Sequence, residues 1–135
     1  MKMKLFFLAA LILFTSAIID NSPVTIYMVG DSTMANRNLA KSPRNKERGW
    51  GMMLGSFFPS DKVVVANHAA SGRSTKSFID EKRWTRVVSQ IKPGDYVFIQ
   101  FGHNDEKKDN PKLYTEPGGT FDDNLRKFVN ETRAK

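Results

Sequence analysis

Three short apolar runs, each followed at once by a polar cluster, constrain the fold of this chain more than any other feature. The runs are VTIYMV (24–29), KVVVA (62–66) and YVFIQF (96–101). All are rich in β-branched and aromatic residues, which suits strands better than buried helix. None alternates apolar with polar residues, so the pattern predicts parallel strands covered on both faces rather than hairpins with one wet side. No Asn-Gly or Asp-Gly turn separates them.

Helical patterns fill the gaps. Trp84, Val87, Val88 and Ile91 fall at i, i+3, i+4 and i+7, and Lys92-Pro93-Gly94-Asp95 stops that helix before the third run. Phe78 and Ile79 are expected to pack in a preceding turn. Trp50, Met53, Leu54 and Phe57 form a weaker stripe ended by Pro59. Phe121, Leu125, Phe128, Val129 and Thr132 share one face of a last helix, with Thr120 and Asp123 spaced for a capping box. The order β-α-β-α-β-α predicts an α/β fold, a three-layer sandwich around a parallel sheet. A run as apolar as YVFIQF makes a poor open edge, so the pattern also leads us to expect that the domain is incomplete and continues in a further strand.

The first residues read as a leader. Lys2 and Lys4 precede an apolar run over 5–14, and Thr15-Ser16-Ala17 offers a small-residue cleavage site. That is the pattern of a secretory signal over residues 1–17, too short to cross a bilayer comfortably. The globular part is expected over residues 22–135, secreted or periplasmic and without stable membrane insertion once the leader is cut. The chain has no cysteine, which rules out disulfides and a lipidated N-terminal cysteine. The formal charge of +7 falls to nearer +5 without Lys2 and Lys4. The basic residues are interleaved with acids, which reads as solvated surface rather than a nucleic-acid interface.

In an open parallel sheet, chemistry gathers beyond the carboxyl ends of the strands. There this sequence places Gly30-Asp31-Ser32, then Asn67-His68-Ala69-Ala70-Ser71-Gly72-Arg73-Ser74, then Gly102-His103-Asn104-Asp105. Singly, Ser32 could be a helix cap and Asn104 a turn former. Together they suggest a nucleophile, Ser32, with oxyanion donors from its own N–H, the backbone N–H of Gly72 and the amide of Asn104. The base is not evident. His103 adjoins Asn104, so in extended chain the two side chains point oppositely, and His68 has no obvious carboxylate to orient it. Asp31 and Asp105 fit better as acceptors for loop N–H groups than as direct catalysts. Arg73 is equally a loop brace or a contact for an acidic substrate. No metal-ligand spacing, Walker A loop or G-x-G-x-x-G fingerprint is present.

The motifs GDST (30–33), NHAASGRST (67–75) and GHND (102–105), with GWG (49–51), resemble the SGNH, or GDSL-type, hydrolase superfamily and its rhamnogalacturonan acetylesterase-like branch. The resemblance implies a flavodoxin-like parallel sheet of which three of about five strands are present. It gives Ser32 the role of nucleophile and oxyanion N–H donor, and Gly72 and Asn104 those of the other two donors. It also implies an acetylated polysaccharide or oligosaccharide as substrate, with no metal or organic cofactor. The family places its catalytic Asp and His in a D-x-x-H block, and no such block occurs in these residues. The expectation is therefore an esterase by lineage that is inactive as this stretch alone. Two other readings remain at this point: an inert fragment of that fold, and a flavodoxin-like module that cradles a phosphate on the GDSTMA loop.

Overall fold

A computed structural model describes residues 22–40 and 47–135. The leader expected over residues 1–17 lies outside them. Three parallel strands, β1 (Val24–Gly30), β2 (Val63–Asn67) and β3 (Tyr96–Gln100), form one open sheet in the order β2-β1-β3. Ile26 stands opposite both Val65 and Tyr96, and Met28 opposite both Asn67 and Phe98, so β1 is paired on both sides over Ile26–Met28.

The two faces of the sheet carry separate cores. On one, Tyr27 and Val29 meet Phe78 of α2 (Thr75–Asp80), Trp84 and Val87 of α3 (Arg83–Val88), Ile91, and Phe128 of α4 (Thr120–Arg133). Trp84 and Phe101 flank Phe128, with ring centroids 4.6 and 5.8 Å away. The indole N–H of Trp84 donates to Glu131 of α4 at 2.6 Å, so the largest buried side chain has its polar atom satisfied. On the other face Ile26, Met28 and Met34 pack with Leu54 of α1 (Gly51–Leu54), Phe58, Val63 and Val65. A 3-10 turn, Gly55–Phe57, extends α1. The α/β sandwich is thus as expected.

Four local expectations need correction. The strands are not covered on both faces throughout. Tyr96 is 59% exposed and Phe98 38%, on the face they share with Ile26 and Met28. The short α1 reaches over β2 and β1 but leaves β3 open. Phe78 and Ile79 sit in a helix, α2, rather than a turn; Ser74 and Ser77 start it with a reciprocal capping box. Helix α3 ends at Val88, and Ile91 is buried from the segment beyond it. Finally, Thr120 and Asp123 form no box. The N-cap of α4 is Gly119, and the Thr120 hydroxyl oxygen instead accepts the N–H of Glu116 at 2.9 Å.

Two measurements test this packing. Phe128 is fully buried, so Phe128→Ala should cost about 3–5 kcal/mol in denaturant unfolding. The Glu131 carboxyl is held below its usual range chiefly by the hydrogen bond from Lys127, with the Trp84 indole helping against a smaller desolvation effect. A depressed folded value stabilises the fold above the unfolded value and loses that contribution as pH falls through the folded one. Glu131→Gln should therefore lower stability at neutral pH, and should shrink the loss seen between pH 7 and about pH 3.

Candidate active site

Parallel strands put their carboxyl ends at one edge, and backbone bonds then hold the three polar loops against each other. Ala70 N–H donates to Gly30 C=O at 2.9 Å, and Asp31 N–H to Gln100 C=O at 3.3 Å. The loop after β1 is wound tightly around Asp31, which is fully buried. Its C=O accepts from the N–H groups of Met34 and Ala35, and its Oδ1 from Thr33 N–H at 2.9 Å. The Thr33 hydroxyl lies within hydrogen-bond distance of Asp31 Oδ1 and Gln100 Oε1. Asp31 therefore shapes the turn that carries Ser32, which is half-buried.

The GWG motif backs the same turn. Trp50 N–H donates to Thr33 C=O at 2.9 Å. A Cβ on Gly49 would lie 2.0 Å from Ala35 C=O, and one on Gly51 2.5 Å from Met34 C=O, so neither position has room for a side chain. Asn67, at the end of β2, reaches across to the loop. Its Nδ2 donates to Met34 C=O and Asn36 Oδ1, both at 3.0 Å.

Gly72 has φ +76° and open space around it. Backbone conformation demands glycine there, not crowding within the chain. Its two neighbours are tied in opposite directions. Arg37 donates from Nη2 to Ser32 C=O at 3.1 Å and from Nη1 to Ser71 Oγ at 3.4 Å. On the other side Asn104 Nδ2 donates to Arg73 C=O at 3.0 Å. The chain Ser32–Arg37–Ser71, then Gly72, then Arg73–Asn104 brings the three candidate residues into one hydrogen-bonded assembly. Asn104 is 1% exposed, and its Oδ1 accepts from Lys107 Nζ at 2.7 Å.

A second brace holds the Asn104 loop. Asp105 Oδ1 accepts from Thr75 N–H and from the Thr115 hydroxyl, each at 2.9 Å, and from the Thr75 hydroxyl as well. Thr75 Oγ1 in turn accepts from Asn124 of α4 at 3.0 Å. Asp105 thus locks the loop after β3 to the start of α2 and to α4.

The remaining candidates are engaged elsewhere. His68 stacks on Tyr27, and burial, then the charge of Arg86, holds its imidazole below the usual range. His103 is exposed and its Nδ1 lies 3.3 Å from Glu106. Arg73 is a loop brace, with Nε 3.1 Å from Glu81 and Nη1 donating to Ser71 C=O at 2.8 Å. Among the described residues no three His, Asp or Glu side chains converge to hold a metal. Sequence reasoning missed Arg37, Thr75, Lys107 and Thr115. A basic residue in a polar loop carries no signal of what it will reach, whereas Thr75, next to Ser74 at a helix start, offered one.

Residues 28–135 match the GDSL-like Lipase/Acylhydrolase family. The probable rhamnogalacturonan acetylesterase YesY of Bacillus subtilis is 38% identical over 110 residues, which is 82% of this chain and 48% of that protein. Rhamnogalacturonan acetylesterase RhgT of the same organism is 39% identical over 113 residues, 84% of this chain and 45% of that one. The crystal structure of Bacillus subtilis YxiM superposes with a TM-score of 0.72 at 31% identity, covering 84% of this chain and 30% of that one. The chain spans about half the length, or less, of the relatives it matches. With the sheet, the three loops and this match over most of its length, the chain belongs to the GDSL-like lipase/acylhydrolase family.

Proposed function

We propose that this chain carries the nucleophile half of a secreted or periplasmic carbohydrate O-acetylesterase, acting on an acetylated pectic polysaccharide such as rhamnogalacturonan. The observation that carries the reading is the hydrogen-bonded assembly running from Ser32 through Arg37 and Ser71 to Gly72, and through Arg73 to Asn104. It ties a serine, a backbone N–H in an open loop and a buried amide together at one sheet edge. The names of the relatives supply the substrate class.

In the reaction, Ser32 Oγ attacks the acetyl carbonyl carbon and passes its proton to a base. The carbonyl oxygen becomes an oxyanion, met by the N–H groups of Ser32 and Gly72 and by Asn104 Nδ2. Collapse expels the sugar oxygen, which takes the proton from the base, and leaves acetyl-Ser32. Water, deprotonated by the same base, then releases acetate and regenerates the serine. Neither His68 nor His103 follows an aspartate by three positions. His68 is held against Tyr27 and His103 faces Glu106. The base is therefore assigned to the family's D-x-x-H block. Without it Ser32 is an ordinary alcohol, and this stretch alone should turn over at background rate.

The test is acetate release from acetylated rhamnogalacturonan, by the chain alone and mixed with a separately expressed segment of a family member that bears the D-x-x-H block. Release is expected in the mixture only, and Ser32→Ala should remove it, a loss on the order of 10⁶-fold in a complete serine hydrolase. A mixture that associates by size-exclusion chromatography yet releases no acetate would overturn the reading. So would a Ser32→Ala mixture of undiminished rate.

A further inference from the structure

We infer that Lys107 is a positioning residue for the oxyanion site, acting through the Asn104 carboxamide; the inference rests on the reading of Asn104 as an oxyanion donor. Asn104 is buried, and among the described residues two groups are bonded to its side chain: the Lys107 ammonium on Oδ1 at 2.7 Å and the Arg73 C=O on Nδ2 at 3.0 Å. These partners are opposite in kind, so they define which way the amide faces. Rotating it by half a turn would press NH₂ against an ammonium and an oxygen against a carbonyl oxygen, losing both bonds in a site with little solvent.

One Nδ2–H is spent on Arg73. The other is the hydrogen available to a substrate oxygen, and its direction follows from the two bonds already made. Lys107 also acts on its strength. A charged donor at an amide oxygen draws electron density away from the nitrogen and makes its N–H a better donor. The ammonium thus presents its charge to the reacting oxygen through the amide. Lys107 lies one turn beyond Asn104, with its own N–H bonded to Asn104 C=O at 3.4 Å, so the contact is local and holds the loop in register. Its side chain is otherwise on the exposed side of the loop, and removing the ammonium opens no cavity.

Three substitutions separate the roles. Lys107→Met keeps the stem and loses the donor, Lys107→Gln keeps a neutral donor, and Lys107→Arg keeps the charge. In the chain alone, the ¹⁵N–¹H resonances of the Asn104 carboxamide should move strongly in Lys107→Met, less in Lys107→Gln and least in Lys107→Arg. In the mixture with the D-x-x-H segment, Lys107→Met should lower kcat about 10-fold with KM unchanged, a fraction of the roughly 10²–10³-fold expected for Asn104→Ala. Lys107→Arg should recover most of the rate. An unmoved Asn104 resonance, or an unchanged kcat in Lys107→Met while Asn104→Ala is strongly impaired, would overturn the Lys107 role and leave the esterase reading standing. An Asn104→Ala mixture of normal rate would instead remove the donor reading, and this inference with it.

Discussion

The site depends on β1 being bonded on both sides by parallel neighbours. A parallel pair runs its carboxyl ends the same way, so with β1 central the loops after all three strands emerge at one edge. Reverse either neighbour and its polar cluster would leave from the far end of the sheet, about 15–20 Å away for strands of this length. The bonds from Ala70 to Gly30 and from Asp31 to Gln100 continue the ladder just past the strands, so the loops inherit the register of the sheet. The candidate residues are placed by backbone pairing first and by side chains second.

Two buried carboxylates then do similar work in the loops after β1 and β3. Asp31 gathers the turn that carries Ser32, and Asp105 gathers the loop that carries Asn104. Each concentrates its bonds on Oδ1, while Oδ2 is buried without a partner among the described residues. An unpaired buried polar atom costs about 1–3 kcal/mol, set against the loop geometry that the Oδ1 bonds fix. That is a sensible exchange in a site whose donors must be aimed before the substrate oxygen acquires its charge.

Much of this was legible in the residues. The three apolar runs became strands within a residue or two, and the candidates Ser32, Gly72 and Asn104, named for their position after them, lie in linked loops at one sheet edge. What was lost turns on competition the sequence does not display. Thr120 and Asp123 have capping-box spacing, yet the Thr120 oxygen is taken by Glu116 N–H. Helix α2 shows only Phe78 and Ile79 as apolar signal, and its cap uses serine where glutamate is the usual cue. The apolar run at 96–101 promised burial on both faces, but burial belongs to the neighbours, and α1 is too short to reach Tyr96. Arg37 and Lys107 were invisible because a long flexible cation in a loop has many possible partners.

The way the residues divide their work explains why the loops resemble an esterase while the histidines do not. A donor can be supplied by backbone geometry and a short amide, both of which a three-stranded edge with tight turns already provides. A base needs an imidazole aimed at the serine and a carboxylate aimed at the imidazole. Here His68 is committed to the Tyr27 ring, where burial disfavours its protonated form, and His103 is turned outward to Glu106. Neither pairing leaves a ring nitrogen set between Ser32 and an acid. On the proposed reading, the oxyanion donors and the proton-transfer groups are thus separable by structure, and the donors are assigned to the loops at the sheet edge.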